Sequence, residues 1–467
     1  MRFCFFTYDG AIMSVARKLL LEGYEVMVCQ IRNASSLGVS SWINDTEMME
    51  CRKRRLSLHD GFIEKYSLES TLSFLKYQKN KDDWFIVFDY NNQYKISEMV
   101  LKMGYEHGLF PMEYDYMMEK DRKMAKDFLK QHYKGVKLKE TKEFKKVDDV
   151  IKFVQESDKL WVIKSDGNFA ETLVPDKDDL EMGKNQVVSE LEENRKDFEK
   201  GKIMAEEKIM NPIEFTPQLV FYDGEPIYSQ IEIETRMFGP LDIGPQTGGN
   251  ENIIINTQLD DAINNIIFPP IVYKEAKKRK GIYIRDAGIL SDGTDLYFTE
   301  FAGCRWGWGG IFSELSASMN EKGEIGEYFI KLKEGGNPYN YKVGASLALY
   351  TLDADSKFAG LPQSDIPMTI SENEKDFFLY QVKRHPDKDA MVNIGYRWFS
   401  SAPLGYVVGR GQTVKEAVTS LYNSLHYFSL KGIYYRPKSD FLSKENEKCV
   451  LNRLQFLKDK KLISGDF

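Results

Sequence analysis

The stretch from Gly281 to Gly310, GIYIRDAGILSDGTDLYFTEFAGCRWGWGG, carries the pattern that most restricts the fold. Two β-rich runs, Ile282–Leu290 and Leu296–Phe301, flank the turn signal Ser291-Asp292-Gly293-Thr294-Asp295, so the stretch reads as a β-hairpin. A loop centred on Gly293 sets Asp286 opposite Glu300, with Leu290–Leu296 and Gly288–Phe298 paired on the same face. Two carboxylates on one face of a hairpin are a simple way to hold Mg²⁺, which takes oxygen ligands and stays partly hydrated on phosphates. A two-residue turn at Asp292-Gly293 instead sets Arg285 opposite Glu300 and leaves a cross-strand ion pair. The residues of the hairpin leave both registers open.

The opening of the chain is a second strong pattern. Arg2–Thr7 reads as a buried strand. Asp9 and Gly10 then turn the chain into a helix with Ile12, Val15, Ala16, Leu19 and Leu20 on one face, closed by Gly23 as a C′ glycine. Tyr24–Cys29 and Trp84–Asp89 are further strands, and Lys95–Met103 a short helix. This βαβ opening is Rossmann-like but lacks GxGxxG, so it implies no dinucleotide site. Glu119–His132 reads as a helix with Met124, Ala125, Phe128 and Leu129 inward. Leu160–Lys164 reads as a strand ending in a lysine, and the charged stretch Asp176–Lys200 as a solvated helical pair. Lys202–Lys208 is a strand, and Phe215–Tyr222 and Pro226–Glu234 form a hairpin about Asp223-Gly224. Gly239–Asn250 reads as a loop, and 252–280 as helical or mixed. A different segment follows, with strands at Ala345–Leu352 and Gly405–Val408. A helix begins at Thr413, where Thr413 and Glu416 make a capping box and Val414, Ala417, Val418, Leu421 and Leu425 a buried stripe. Ser439–Phe467 reads as a charged helical tail.

Composition narrows the function classes. The chain has 467 residues and a formal net charge of −7, long enough for several domains and without the basic footprint of non-specific nucleic-acid binding. No apolar run approaches a membrane span, and MRFCFFTYDG is a strand and a turn without signal-peptide architecture. Cys4, Cys29, Cys51, Cys304 and Cys449 are scattered and lack CxxC pairing, which fits a reducing cytoplasm and argues against a zinc site. His59, His107, His132, His385 and His426 are equally scattered.

The order Arg122, Lys164, Glu206/Glu207, Glu214, Arg236, Asp286, Glu300 resembles that of an ATP-grasp ligase. More closely, the chain is similar to the glycinamide ribonucleotide synthetase (phosphoribosylamine–glycine ligase) family over nearly its whole length. Gly244-Pro245-Gln246-Thr247-Gly248-Gly249 stands where that family carries GPNTGG, Lys126-Asp127-Phe128-Leu129 lies in the helix opening the ATP-grasp region, and Ile163-Lys164-Ser165-Asp166-Gly167 matches IKADG. Glu300-Phe301 before Cys304-Arg305-Trp306-Gly307 matches EFNxRFG. The run from Gly405 through Thr413-Val414-Lys415-Glu416-Ala417 to Gly432-Ile433-Tyr434-Tyr435-Arg436 matches the last domain.

The resemblance implies an α/β chain with a Rossmann-like domain at 1–112, an ATP-grasp body at 113–335, a small C-terminal α/β domain at 336–440 and the tail at 441–467. It implies an enzyme of purine biosynthesis or a close relative. Such a ligase makes an acyl phosphate from a carboxylate and ATP, with Mg²⁺ or Mn²⁺, and lets an amine attack it. Arg122 and Lys164 would hold phosphates, because developing phosphate charge needs fixed positive partners. Glu206 or Glu207 would bond adenine or ribose, Glu214 the ribose side, and Glu300 with Asp286 the metal. Gly244, Pro245, Thr247, Gly248 and Gly249 would bring backbone N–H groups to anionic substrate atoms. Arg236 replaces a basic residue of the family's DHKR segment, and Arg305 would steady the acyl phosphate as a forked donor. The expected partners are small molecules, an amino acid and a phosphorylated amine, met by a cytoplasmic monomer that binds neither nucleic acid nor membrane.

Departures qualify the substrate. The family's AAGKG phosphate loop is here Phe169-Ala170-Glu171-Thr172-Leu173, with a glutamate where phosphates approach. Its metal-binding asparagine is replaced by Ala302, GDPE by Gly307-Trp308-Gly309-Gly310, and GNGGREH by Tyr8-Asp9-Gly10-Ala11-Ile12-Met13-Ser14. A ligase with another substrate, or a non-catalytic nucleotide-binding descendant, is the alternative.

Overall fold

The structure, a computed structural model, describes residues 1–31, 49–165, 172–175, 179–244, 246–301, 309–351, 363–371, 374–395, 403–443 and 449–467. Its opening is a parallel sheet of β1 (Arg2–Thr7), β2 (Glu25–Gln30), β3 (Lys65–Tyr66), β4 (Trp84–Phe88) and β5 (Gly108–Leu109), in the order β3-β2-β1-β4-β5. Both faces of β1 and β4 are buried, which suits near-continuous runs such as FCFF and WFIVF. The helix Met13–Leu21 crosses from β1 to β2 and buries Val15, Ala16 and Leu19. It stops where Gly23 takes φ +89° and Tyr24 N–H reaches back to the Leu19 carbonyl at 3.0 Å, as a C′ glycine permits. Since β2 lies on one side of β1 and β4 on the other, the strand order reverses at β1.

A separate three-stranded antiparallel sheet is built from β7 (Thr141–Phe144), β8 (Trp161–Ser165) and β9 (Ile203–Glu207), preceded by the short β6 (Lys137–Leu138). Ile163, Ile203 and Ala205 turn one face onto Val147, Val150 and Val154 of the helix Val147–Glu156 and onto Val187 and Leu191 of the helix Leu180–Glu193. The expected solvated helical pair is that last helix with Arg195–Phe198, where Arg195 bridges Asp148 and Glu192 at 2.8 Å.

The long strands β10 (Ile213–Tyr222) and β11 (Glu225–Met237) meet at Asp223-Gly224, with φ of +47° and +89°. Positive φ at both loop residues is what the right-handed twist of a two-residue hairpin requires. β12 (Gln246–Thr257) corrects the expected loop from 246 to 250, and the stretch 252–280, expected as helical or mixed, is mixed. Ile253, Ile254 and Ile255 are all buried because this strand lies between neighbours and under a helix, so no alternation marks it. Helices Ala262–Ile267 and Pro270–Ala276 follow. Next come β13 (Ile282–Asp286), then β14 (Ile289–Ser291) and β15 (Leu296–Phe298), and later β16 (Val343–Thr351). β13 pairs with β10 on one side and, at Ile282↔Leu109, with β5 on the other, so one sheet runs from the parallel strands into β10, β11, β12 and β16. The strands Gly405–Gly411 and Phe377–Leu379 extend it, and the helix Val414–Ser424 starts at Thr413, whose hydroxyl accepts from Glu416 N–H.

Two compact units result. One comprises 1–119, 215–286 and 301–467; the other comprises 120–214 and 287–300. Positions 112 and 335 both fall inside the first unit. Among the described residues no helix is long and apolar enough to cross a membrane.

The helix Gly309–Ser318 lies over β16, and a Cβ added at Gly344 would collide with the Ser313 carbonyl. Gly344→Ala is expected to lower stability by about 1–3 kcal/mol, the cost of overpacking a filled contact. Urea unfolding measures this, and an unchanged midpoint would show that the helix yields freely.

Candidate active site

The smaller unit concentrates positive charge on one carboxylate. Pairing of Lys164 with Met204, and of both Val162 and Thr141 with Glu206, puts the side chains of Lys164, Thr141, Met204 and Glu206 on the sheet face opposite the apolar core. Lys126 reaches the same face from the helix Arg122–His132, whose start is fixed by the Asp121 carboxylate accepting from Met124 N–H at 2.9 Å. The Nζ atoms of Lys126, Lys139 and Lys164 lie 2.9, 3.1 and 2.7 Å from the Glu206 carboxylate oxygens. Glu206 is 2% exposed, Lys139 7%, Lys164 14% and Lys126 19%. Burial pushes the Glu206 carboxyl up, but the three ammoniums overcome it and hold the group below the usual carboxylate range. Three ammoniums sharing one carboxylate concentrate positive charge in a shielded place, which suits an anion.

Other expected residues of this unit are spread more widely. Glu207 turns to the opposite side and pairs with Lys159 at 2.9 Å. Glu214 is partly buried near the start of β10, and Glu300 is exposed beyond β15. The backbone of Arg122 opens its helix, while its side chain, Pro245 and Arg305 lie outside the described residues.

The hairpin takes neither expected register. Ser291 pairs with Leu296 and Ile289 with Phe298 around the loop 292–295. Asp292 Oδ1 accepts from Thr294 and Asp295 N–H, which closes a four-residue loop. Then Gly288 N–H donates to Glu300 O while Thr299 N–H donates to Gly288 O, so two residues oppose one in a β-bulge. The bulge ends any simple face assignment counted from the turn. Because the loop has four residues, Leu290–Leu296 and Gly288–Phe298 are not cross-strand pairs.

The larger unit gathers acids on β11 and its neighbours. Asp286 ends β13 opposite Gln218 and is buried. Glu232 accepts from Gln218 Nε2 at 2.9 Å. Gln230 donates to Gln218 and to Glu314, which also accepts from Tyr228 and Tyr328 at 2.5 and 2.6 Å. Arg236 pairs with Glu234 at 2.6 Å and stays half-exposed. Gly244 and Gly249 take φ of +99° and +120°, and the Thr247 hydroxyl donates to the Arg236 carbonyl at 2.6 Å. The glycine-rich stretch is thus an irregular opening of β12, with Met237↔Gln246 and Thr235↔Glu251 on either side of it. Farther along, Arg453 of the helix Val450–Asp459 donates to the Glu234 carbonyl at 2.8 Å. Among the described residues no group of three or more His, Cys, Asp or Glu side chains is arranged to hold a metal ion. Carboxylate oxygens such as those of Asp286 are nevertheless the right donors for Mg²⁺, which needs only one or two from protein when phosphate supplies others.

No family model and no curated protein matches the chain. Solved structures do. A phosphoribosylamine–glycine ligase from Thermotoga maritima is similar at TM-score 0.60 and 16% identity, over 93% of this chain and 99% of that one. A biotin carboxylase from Campylobacter jejuni, in a β-γ-ATP complex, is similar at 0.55 and 15%, over 96% and 95%. The biotin carboxylase domain of a Hydrogenobacter thermophilus 2-oxoglutarate carboxylase, in complex with MgADP, is similar at 0.53 and 12%, over 100% and 99%. The chain has the ATP-grasp fold.

On this ATP-grasp chain, several polar groups escaped the motifs. Lys139 sits in the alternation VKLKET, Glu232 in IEIET, and Glu314 among small residues of a buried helix. Alternation was the available signal, for it sends every second side chain to one face. At the carboxyl ends of β1 and β4, where the strand order reverses, Asp9 and Asp89 are also buried. Asp9 accepts from Tyr90 O–H at 2.6 Å and Ala11 N–H at 3.0 Å, and Asp89 from Gln93 at 2.8 Å. Burial pushes both carboxyls up, and for Asp89 the charge of Asp9 adds to it.

Burial first, then Glu234 and Asp286, push the Glu232 carboxyl up to about 8. Its neutral form is the one the fold favours, so stability falls as pH rises from the ordinary carboxylate range to that value. Glu232→Gln is expected to match the unaltered protein near about pH 4 and to exceed it above about pH 8. Urea unfolding in metal-free buffer across this range checks it; parallel curves at every pH refute the assignment.

Proposed function

We propose that this protein is an ATP-dependent carboxylate–amine ligase working through an acyl phosphate. The observation that carries this reading is the convergence of Lys126, Lys139 and Lys164 on Glu206, on an ATP-grasp fold. Lys164 and Lys126 bind phosphate oxygens, and Arg122 is a further candidate for them. Glu206 is engaged with three lysines and Glu207 with Lys159, so the ribose contact passes to Glu214. Asp286 supplies carboxylate oxygens for Mg²⁺ or Mn²⁺, which would neutralise phosphate charge. Arg236 and Arg305 hold the anionic substrate, and Gly244, Pro245, Thr247, Gly248 and Gly249 present backbone donors to it. The absence of CxxC pairing supports a cytoplasmic setting.

Motif order supports phosphoribosylamine–glycine ligase activity as the finer reading. The buried Asp9 and Asp89 favour a second one, a relative whose amine bears no phosphate, because carboxyl oxygens at a strand-end crevice offer acceptors where a phosphate needs donors. ADP release with glycine and phosphoribosylamine decides between them: turnover upholds the first, and silence with those substrates upholds the second. For the nucleotide, Lys164→Ala is expected to weaken ATP binding by about 1–3 kcal/mol, the scale of a lost charged hydrogen bond. Calorimetry measures it, and an unaltered protein that binds no ATP overturns the ligase reading.

A further inference from the structure

The helix Val414–Ser424 buries Val414, Ala417, Val418 and Leu421, while Glu416, Thr419, Ser420 and Asn423 repeat the same three- and four-residue spacing on another face. That polar stripe lines a cavity of about 660 Å³ in the larger unit. Lys375 and Asp376 of the turn Glu374–Asp376 line it too, with Arg410 of the strand Gly405–Gly411 and Lys415. None of these residues is among those assigned above to nucleotide, metal or substrate. The volume is that of a small-molecule site, but such sites are mostly apolar, and this one is walled by charges, hydroxyls and an amide.

The cations have donors to spare. The Arg410 side chain is 12% exposed, and its Nη1 donates to Asp376 at 2.9 Å and to the Met319 sulfur at 3.4 Å. Among the described residues its Nε and Nη2 have no acceptor, and the half-buried Lys375 ammonium has neither a hydrogen-bond nor an ion-pair partner. The two acids of the lining are already engaged. Asp376 accepts from Arg410 with one oxygen and from Ser424 at 2.8 Å with the other, and Glu416 accepts from Gln412 N–H at 2.8 Å. The cations are also held in place. The Lys375 stem lies against Gly323, where a Cβ would strike it. The turn that carries Lys375 is gripped by the helix Met13–Leu21, through Arg17 to Glu374 at 2.5 Å and Lys18 Nζ to the Glu374 and Lys375 carbonyls. Fixed donors bind an anion without first losing freedom.

We propose that this cavity binds a small sugar phosphate, with Lys375 and Arg410 on phosphate oxygens and Ser420 and Asn423 on sugar hydroxyls. A guanidinium with idle N–H groups matches the oxygens of a phosphate. Hydroxyl and amide side chains both donate and accept, as sugar hydroxyls do.

Calorimetry on the full chain with inorganic phosphate, glucose 6-phosphate and glucose as probes tests it, in the unaltered chain and in Lys164→Ala. Glucose 6-phosphate is expected to bind about tenfold tighter than inorganic phosphate, and glucose far more weakly than either. Lys375→Met, which keeps the stem against Gly323, is expected to weaken both phosphates about tenfold in both chains, and Lys375→Arg to restore most of the loss. Asn423→Ala, at an exposed position, is expected to weaken glucose 6-phosphate about threefold and leave inorganic phosphate within about twofold. Phosphate binding that Lys375→Met leaves unchanged overturns the site, as does an unaltered protein that binds neither phosphate. Equal affinity for inorganic phosphate and glucose 6-phosphate overturns the role given to Ser420 and Asn423. An unaltered protein that binds glucose 6-phosphate through Lys375 but binds no ATP upholds this site and overturns the ligase reading.

Discussion

The larger unit depends on a narrow junction. Among the described residues a single strand pair, Ile282↔Leu109, joins the parallel strands to the antiparallel ones. Gly108 and Gly281 meet there at φ of +146° and +66°, and a Cβ on Gly281 would strike the Gly108 carbonyl. Side chains larger than hydrogen would hold the two halves apart. The same turn is fastened by Gly281 N–H to the Asp223 carboxylate at 2.8 Å and by Asp223 N–H to the Gly281 carbonyl at 2.9 Å. Hairpin, junction and β13 are thus fixed together, and β13 delivers Asp286 beside Gln218.

Glu206 in the smaller unit and Glu314 in the larger one solve the charge problem differently. In the smaller one, opposite charges are shared, so a buried carboxylate stays ionised. In the larger one, Glu314 is buried with neutral tyrosine and glutamine donors, and burial raises its carboxyl. Hydroxyl and amide donors satisfy oxygen atoms without cancelling charge, so such an acid sits closer to protonation.

Much of the framework was legible in the sequence because local chemistry dictated it. The strand Arg2–Thr7, the helix closed by Gly23, the Asp223-Gly224 turn and the Thr413 cap each follow from a residue whose backbone preference admits few alternatives. Lys164 stood out as a charge closing an apolar strand. Lys139 did not, since alternating lysines look solvated until the helix Arg122–His132 is known to bring Lys126 to that face. β12 was obscured because burial on both faces erases alternation, and the hairpin register because a bulge at Thr299 and Glu300 breaks the count. In each miss, a tertiary neighbour outweighed the local pattern.

The bond from Arg453 to the Glu234 carbonyl spans 219 positions, and Ser464 joins Asp261 across 203. Closing loops of that size is slow relative to forming a hairpin or helix. During synthesis the acid-bearing strand β11 therefore emerges long before the arginine that clasps it. Ribosome-bound chains hold this strand without its clasp, and the interval before the clasp arrives is when the nascent protein is most exposed to chaperones and proteases.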